Sequence, residues 1–223
     1  MNTLAHEVAY RGKKLLDKMA EQHLTVCGCG AVGSNFIDNA VRQGFKIMTV
    51  VDMDRVEDHN RHTQIWDKRV IGALKASAMK NYIFNVMSDA RIEAVTKKLD
   101  ETNIKKLLGS GPSPTGIAIE TIVIDGFDNS ASRKLLTEHC KMLKTDCLHI
   151  GLYQDYAEIV WNEFYKPPEP SNGPDVCEYP LARNVILMAT AVATDVLIRF
   201  LDEGVKENYS ITLKDFKIKP MDV

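Results

Sequence analysis

Leu24-Thr25-Val26-Cys27-Gly28-Cys29-Gly30-Ala31-Val32-Gly33-Ser34 decides how this chain folds. The apolar run Leu24 to Cys27 predicts a short strand, and from about Val32 to Gln43 the apolar residues return at helical spacing. Between the two lies a G-x-G-x-x-G turn whose glycines have separate tasks. Gly28 permits the tight turn, Gly30 lets the backbone approach a phosphate, and Gly33 lets the helix pack on the strand. The helix N-terminus that follows favours negative charge. Ile47 to Val51 then reads as the next strand, which completes a βαβ unit.

The same alternation continues outward. Upstream, residues 8 to 21 place Leu15, Leu16 and Met19 at helical spacing and predict one amphipathic opening helix on the domain surface. Downstream, Leu74 to Met87 predicts a helix, Ile92 to Val95 a strand, Asn103 to Leu108 a short helix and Thr121 to Ile124 a strand. The Gly- and Pro-rich stretch 109–116 reads as a loop. Ser130 to Leu143 is helical, and Cys147 to Gly151 and Ala157 to Trp161 read as strands. A proline-rich crossing from Tyr165 to Pro180 leads to a long apolar helix, Leu181 to Leu201, buried on much of its circumference. The fold class expected is α/β: a Rossmann-like, doubly wound, mostly parallel sheet with an antiparallel C-terminal part. Its ligands would sit at the carboxyl ends of the strands.

A length of 223 residues suits a single domain spanning 1–223. The 28 Lys and Arg nearly balance the 30 Asp and Glu, so no bulk attraction to nucleic acid or anionic membrane is implied. No apolar run approaches the roughly eighteen residues of a membrane span, and the start lacks a basic-then-apolar signal pattern. A cytoplasmic location is therefore expected, with neither nucleic acid nor membrane as partner. The cysteines, odd in number and without a Cys-x-x-Cys pair, argue against a disulfide framework and a structural zinc site.

Asp52 follows the second strand, nineteen residues after Gly33, where a carboxylate can accept hydrogen bonds from ribose hydroxyls. So far the pattern suits NAD as well as ATP. The stretch Asp52-Met53-Asp54-Arg55-Val56-Glu57-Asp58-His59-Asn60 changes that, followed as it is by Gly72-Ala73-Leu74-Lys75 and by Asp125-Gly126-Phe127-Asp128-Asn129. In order and spacing these resemble the D-x-D-x-V-x-x-x-N, G-x-x-K and D-x-x-D-N motifs of the ThiF/MoeB/HesA family, bacterial relatives of ubiquitin-activating enzymes. The resemblance spans about residues 8 to 215.

The resemblance implies an adenylyltransferase that uses ATP and Mg²⁺ to activate the C-terminal carboxylate of a small ubiquitin-like or sulfur-carrier protein, or of a peptide. By it, Lys75 contacts the phosphates, Asp128 holds Mg²⁺ and Asp52 binds the ribose, while Asp54, Asn60, Gln64 and Asn129 complete the nucleotide site. The chemistry is consistent: attack of a carboxylate on the α-phosphorus needs a lysine, a metal-binding carboxylate and polar donors. Asp128-Asn129-Ser130 equally suits a helix cap.

The resemblance also implies a homodimer in which Arg11, on the opening helix, reaches the partner's phosphates. The family's N-x-x-R-Q is altered here, since Thr63 stands where a phosphate-binding arginine is expected, and Arg61 and Arg69 are the neighbouring substitutes. Cys177 precedes the long helix, where relatives carry a cysteine for thioester or persulfide transfer. A packing role is open to it too, because Asp175 and Glu178 beside the sulfur oppose ionisation. Two rivals remain: an NAD(P)-dependent oxidoreductase on the same turn, and a nucleotide-binding module without catalysis.

Overall fold

The computed structural model describes residues 3–108, 120–168 and 180–221. The loop expected at 109–116 and most of the proline-rich crossing, Cys177 included, lie outside the described residues. Eight strands form one sheet. In chain order they are β1 (His23–Cys27), β2 (Ile47–Val51), β3 (Arg91–Val95), β4 (Thr121–Asp125), β5 (Cys147–Tyr153), β6 (Tyr156–Trp161), β7 (Tyr209–Thr212) and β8 (Lys217–Pro220). Their spatial order is β3-β2-β1-β4-β5-β6-β7-β8. The pairs from β3 to β5 are parallel, and those from β5 to β8 are antiparallel. The chain leaves β1 toward β2 on one side, and β4 lies on the other. The order thus reverses between β1 and β4, and a crevice opens there at the carboxyl ends.

The central parallel strands β1, β2 and β4 bury both faces, as such strands must when helices cover each side. Leu24 and Val26 of β1 join Met48, Val50, Ile122 and Ile124 on the larger face. That face is covered by α2 (Lys13–Glu21), α3 (Ala31–Gln43), α4 (Lys75–Val86) and α7 (Arg183–Glu203). Cys27, Val51, Val123 and Cys147 point the opposite way, toward α5 (Ile104–Leu108) and α6 (Ser130–Leu143). This is the doubly wound arrangement the βαβ pattern predicts. By length and composition α7 is the one helix among the described residues apolar enough to cross a membrane, and more than half of that stretch is buried within the fold. Its Val185, Ala189, Ala193, Val196 and Leu197 belong to the same core as the strands.

The opening helix departs from expectation. It is two helices, α1 (Ala5–Arg11) and α2, broken at Gly12, whose φ of 81° and ψ of 153° belong to no helix. Such a conformation is open to glycine and costly for other residues. Only α2 contributes buried side chains, Leu16 and Met19, while α1 buries none. The amphipathic surface helix expected is thus α2, with Leu16 and Met19 turned inward, while α1 lies on the surface without a buried face.

Candidate functional site

The glycine turn is held by the ends of three neighbouring strands. Register aligns Cys27 of β1 with Val51 of β2 and with Asp125 of β4. The Gly28 amide donates to the Val51 carbonyl at 2.8 Å, and the Gly126 amide donates to the Cys27 carbonyl at 2.9 Å. Gly28 sits at a φ of 93°, and a Cβ there would meet the Gly126 carbonyl oxygen at 2.9 Å. At Gly33 the crowding is greater, since a Cβ would lie 1.8 Å from the Gly28 oxygen. Gly30, by contrast, has nothing within 4 Å of such an atom and precedes α3 without any side-chain cap. No side chain caps the first turn of α3, and Gly30 just before it lines the cavity described below, the arrangement that receives anions at a helix start.

Asp52 continues β2 beneath this turn. Its Oδ2 accepts from the Cys29 amide at 2.6 Å and its Oδ1 from the Asp54 amide at 2.8 Å. Burial pushes its carboxyl up from the ordinary value, against the opposing pull of the Cys29 amide and Lys75. A carboxylate offers about four lone-pair sites, so two bonds leave room for a hydroxyl pair. Lys75 opens α4 and is only 8% exposed, low for a lysine. Its amide donates to the Asp54 carbonyl at 2.8 Å, and its Nζ stands 3.5 Å from Asp54 Oδ2.

Across the crevice, the turn after β4 brings in Asp128 and Asn129, both exposed. Asn129 is the N-cap of α6 and accepts from the Ser132 amide at 2.9 Å through Oδ1. The cap thus falls to Asn129 and not to Asp128. Gly28, Gly30, Asp52, Asp54, Lys75, Asp128 and Asn129 all line one cavity of about 450 Å³. Lys97, Lys98, Leu99 and Asp100 also line it, as do the apolar side chains of Phe127 and Leu135, none of them assigned from the sequence. Residues 97–100 follow β3 and Phe127 precedes Asp128, so their place after a parallel strand was the available signal, whereas Leu135 reaches the cavity from α6.

Other expected residues stand elsewhere. Gly33 acts behind the wall, as the contact of α3 with the turn. Asn60 Oδ1 accepts from the Glu57 amide at 2.9 Å and Gln64 Oε1 from Trp66 Nε1 at 2.6 Å. Both side chains are buried and absent from the cavity lining. Arg61 pairs with Asp58 and Arg69 with Asp67 on the surface, and neither lines the cavity. The Thr63 carbonyl accepts from Asn35 Nδ2 at 2.9 Å. Arg11 donates to Glu7 at 3.0 Å, to Gln43 at 3.1 Å and to Asp195 at 3.0 Å, which ties α1 to α3 and α7 within its own chain. Cys27 and Cys29 are fully buried, and burial raises both thiols well above the ordinary value, as suits packing residues.

A glycine turn, a buried strand-end carboxylate and a cationic helix start, joined at the reversal point of a parallel sheet, define a Rossmann-like nucleotide-binding fold. The chain belongs to the ThiF family, whose model matches residues 4–172. It is 28% identical over 141 residues to tRNA threonylcarbamoyladenosine dehydratase of Escherichia coli K12, a match covering 63% of this chain and 50% of that protein. It is 24% identical over 199 residues to the SAMP-activating enzyme E1 of Haloferax volcanii, covering 84% of this chain and 70% of that enzyme. The chain thus spans from half to about two thirds of these relatives. Its fold matches E. coli MccB with ATP at a TM-score of 0.76 and 14% identity, over 99% of this chain and 71% of that one.

Proposed function

We propose that this chain is an ATP- and Mg²⁺-dependent adenylyltransferase that activates the C-terminal carboxylate of a small ubiquitin-like protein or peptide. The observation that carries the reading is the convergence of the glycine turn, Asp52, Lys75 and Asp128 on one cavity. Family membership favours ATP over a dinucleotide, and a SAMP-activating enzyme among the relatives favours a protein or peptide as acceptor.

In this reading the amides after Gly30 receive phosphate and Asp52 accepts from the ribose hydroxyls. Lys75 leaves Asp54 for the phosphates and draws charge from the α-phosphoryl group as it is attacked. A carboxylate oxygen of the partner forms a bond to the α-phosphorus. The bond from that phosphorus to the bridging oxygen breaks, and pyrophosphate departs with the electron pair. Among the described residues no three His, Cys, Asp or Glu side chains cluster as a metal site. Mg²⁺ does not need such a cluster, since it is commonly bound by one or two carboxylates together with substrate phosphates and water. Asp128 fits that part, and the ion would supply charge neutralisation on the phosphates. A homodimer, a cytoplasmic location and a transfer role for Cys177 complete the reading.

The test is exchange of labelled pyrophosphate into ATP in the presence of candidate acceptors with free C-termini. Exchange that requires both acceptor and Mg²⁺ supports the reading. ATP binding without exchange under any acceptor supports the non-catalytic module, and calorimetric preference for NAD or NADP supports the oxidoreductase.

A further inference from the structure

Beneath the turn that carries Asp128 lies a buried polar network that the proposed chemistry does not use. Asp125, the last residue of β4, is fully buried. Its Oδ1 accepts from the Phe127 amide at 3.1 Å, which closes the turn leading to Asp128. His149 of β5 is also fully buried and holds Asp125 Oδ2 through Nδ1 at 2.8 Å, while its Nε2 faces Asn162 Oδ1 at 2.9 Å. The Tyr165 ring stacks on the imidazole, with centroids 3.8 Å apart and planes at 9°. From α6, Arg133 donates to the Tyr165 hydroxyl at 2.9 Å and to the Ile150 carbonyl at 2.8 Å, and lies 3.6 Å from Asp125 Oδ2. Burial alone would push the Asp125 carboxyl up, but Arg133 and the bond from His149 outweigh it and hold the group below the ordinary value. With the Phe127 amide on its other oxygen, an ionised Asp125 can only accept, so in this pair His149 Nδ1 is the donor.

Apolar residues of similar volume would fill this space at less desolvation cost. The network ties β4 and α6, which flank the turn lining the cavity, to the neighbouring strand β5. We propose that His149 is a positioning residue for Asp128: its Nδ1 bond orients Asp125, Asp125 fixes the Phe127 amide, and the turn from Gly126 to Asn129 is thereby held with Asp128 toward the cavity. The role assigned to Asp128 rests on the nucleotide reading above, whereas the link from His149 to the turn is a property of the ligand-free chain.

Two substitutions separate this role from packing. An asparagine amide nitrogen falls near the place of the histidine Nδ1, and a glutamine amide nitrogen near that of Nε2. His149→Asn can therefore keep the bond to Asp125, while His149→Gln keeps only the one to Asn162. Both lose the ring beneath Tyr165 and should be destabilised alike. In ligand-free protein, hydrogen exchange at the Phe127 amide should be at least tenfold faster in His149→Gln than in the parent, and His149→Asn should restore it to within threefold. The KM for ATP with Mg²⁺ should rise at least fivefold in His149→Gln and fall back in His149→Asn. Equal exchange at Phe127 in the two variants would overturn the proposal. Should His149→Gln not fold, the parent chain offers a second measurement by NMR. AMP binding should shift the His149 Nδ1 proton together with the Phe127 and Asp128 amides, and a fixed Nδ1 signal beside moving amides would overturn it equally. A parent chain inert toward ATP would refute the nucleotide reading and leave the exchange result standing.

Discussion

The two glycines that flank the start of α3 should separate folding from ligand binding. In Gly33→Ala the new carbon would sit 1.8 Å from the Gly28 carbonyl oxygen and 2.8 Å from its carbon, both backbone atoms. To reach even a tight contact of 3.0 Å, α3 has to withdraw from the turn by more than an ångström. Phe36, Ile37, Ala40 and Val41 of α3 are all fully buried and would move with it. Overpacking of this kind costs about 1 to 3 kcal/mol, and a site walled by backbone belongs at the upper end. Urea unfolding should accordingly show a loss of about 3 kcal/mol with little change in slope. Gly30→Ala meets nothing within 4 Å, so no clash opposes it and its loss of stability should be well below that of Gly33→Ala. Its methyl group would nevertheless enter the space assigned to phosphate. Loss of one charged hydrogen bond there, about 1.5 to 3 kcal/mol, corresponds to a fall in ATP affinity of about tenfold or more in calorimetry. If Gly30→Ala bound ATP normally, or Gly33→Ala unfolded like the parent, the account of this turn would be wrong.

Lys75→Ala and Asp128→Ala should each slow pyrophosphate exchange by about 10² or more while AMP binding changes far less, and undiminished rates in both would favour the non-catalytic module. Asp52→Ala should weaken ATP and AMP alike, by about 1.5 to 3 kcal/mol in calorimetry, and an unchanged affinity for AMP would remove the ribose from that carboxylate. Asp125 has a folded value below its ordinary 3.8, so its contribution to stability is full above that pH and is lost as pH falls through the folded value. The stability gap between the parent and Asp125→Asn in urea titrations should therefore shrink below pH 3.8, and a constant gap would contradict it. Mixing an Arg11→Ala chain with a Lys75→Ala chain should restore exchange in mixed dimers if Arg11 serves the partner's site. That requires its bonds to Gln43 and Asp195 to be exchanged for phosphate, and failure of complementation would leave Arg11 as a tie between helices.

The parallel core was legible because its signals are local. Strand, glycine turn and helix around Gly28, and the strand ends at Asp52 and Asp125, are written in runs of adjacent residues. Ser130–Leu143 was bounded correctly since Asn129 is a good cap just ahead of it. The break at Gly12 was not legible, because a single glycine in a helical pattern is usually tolerated. Strands β7 and β8, four residues each, are too short for alternation to stand out, and they form by pairing with a sheet already built. Asn60 and Gln64 carried no mark to distinguish a ligand contact from a local bond, and in the structure Asn60 bonds the Glu57 amide and Gln64 the Trp66 indole. The link between Asp125 and His149 spans 24 residues and arises only from the register of β4 on β5.

The resting partner of Lys75 has a consequence for cycling. With its ammonium group 3.5 Å from Asp54, the lysine rests beside a counter-charge, and an arriving phosphate would gain only the difference between itself and that carboxylate. If the proposed function holds, a tether of this kind would lower occupancy at the first encounter and speed departure at the last, because Asp54 would reclaim the ammonium group as the anion leaves. The side chain of Asp54 is 59% exposed, which keeps its hold weak and the competition close to balanced. Replacing Asp54 with a neutral residue would then tighten retention of the spent nucleotide, trading throughput for grip.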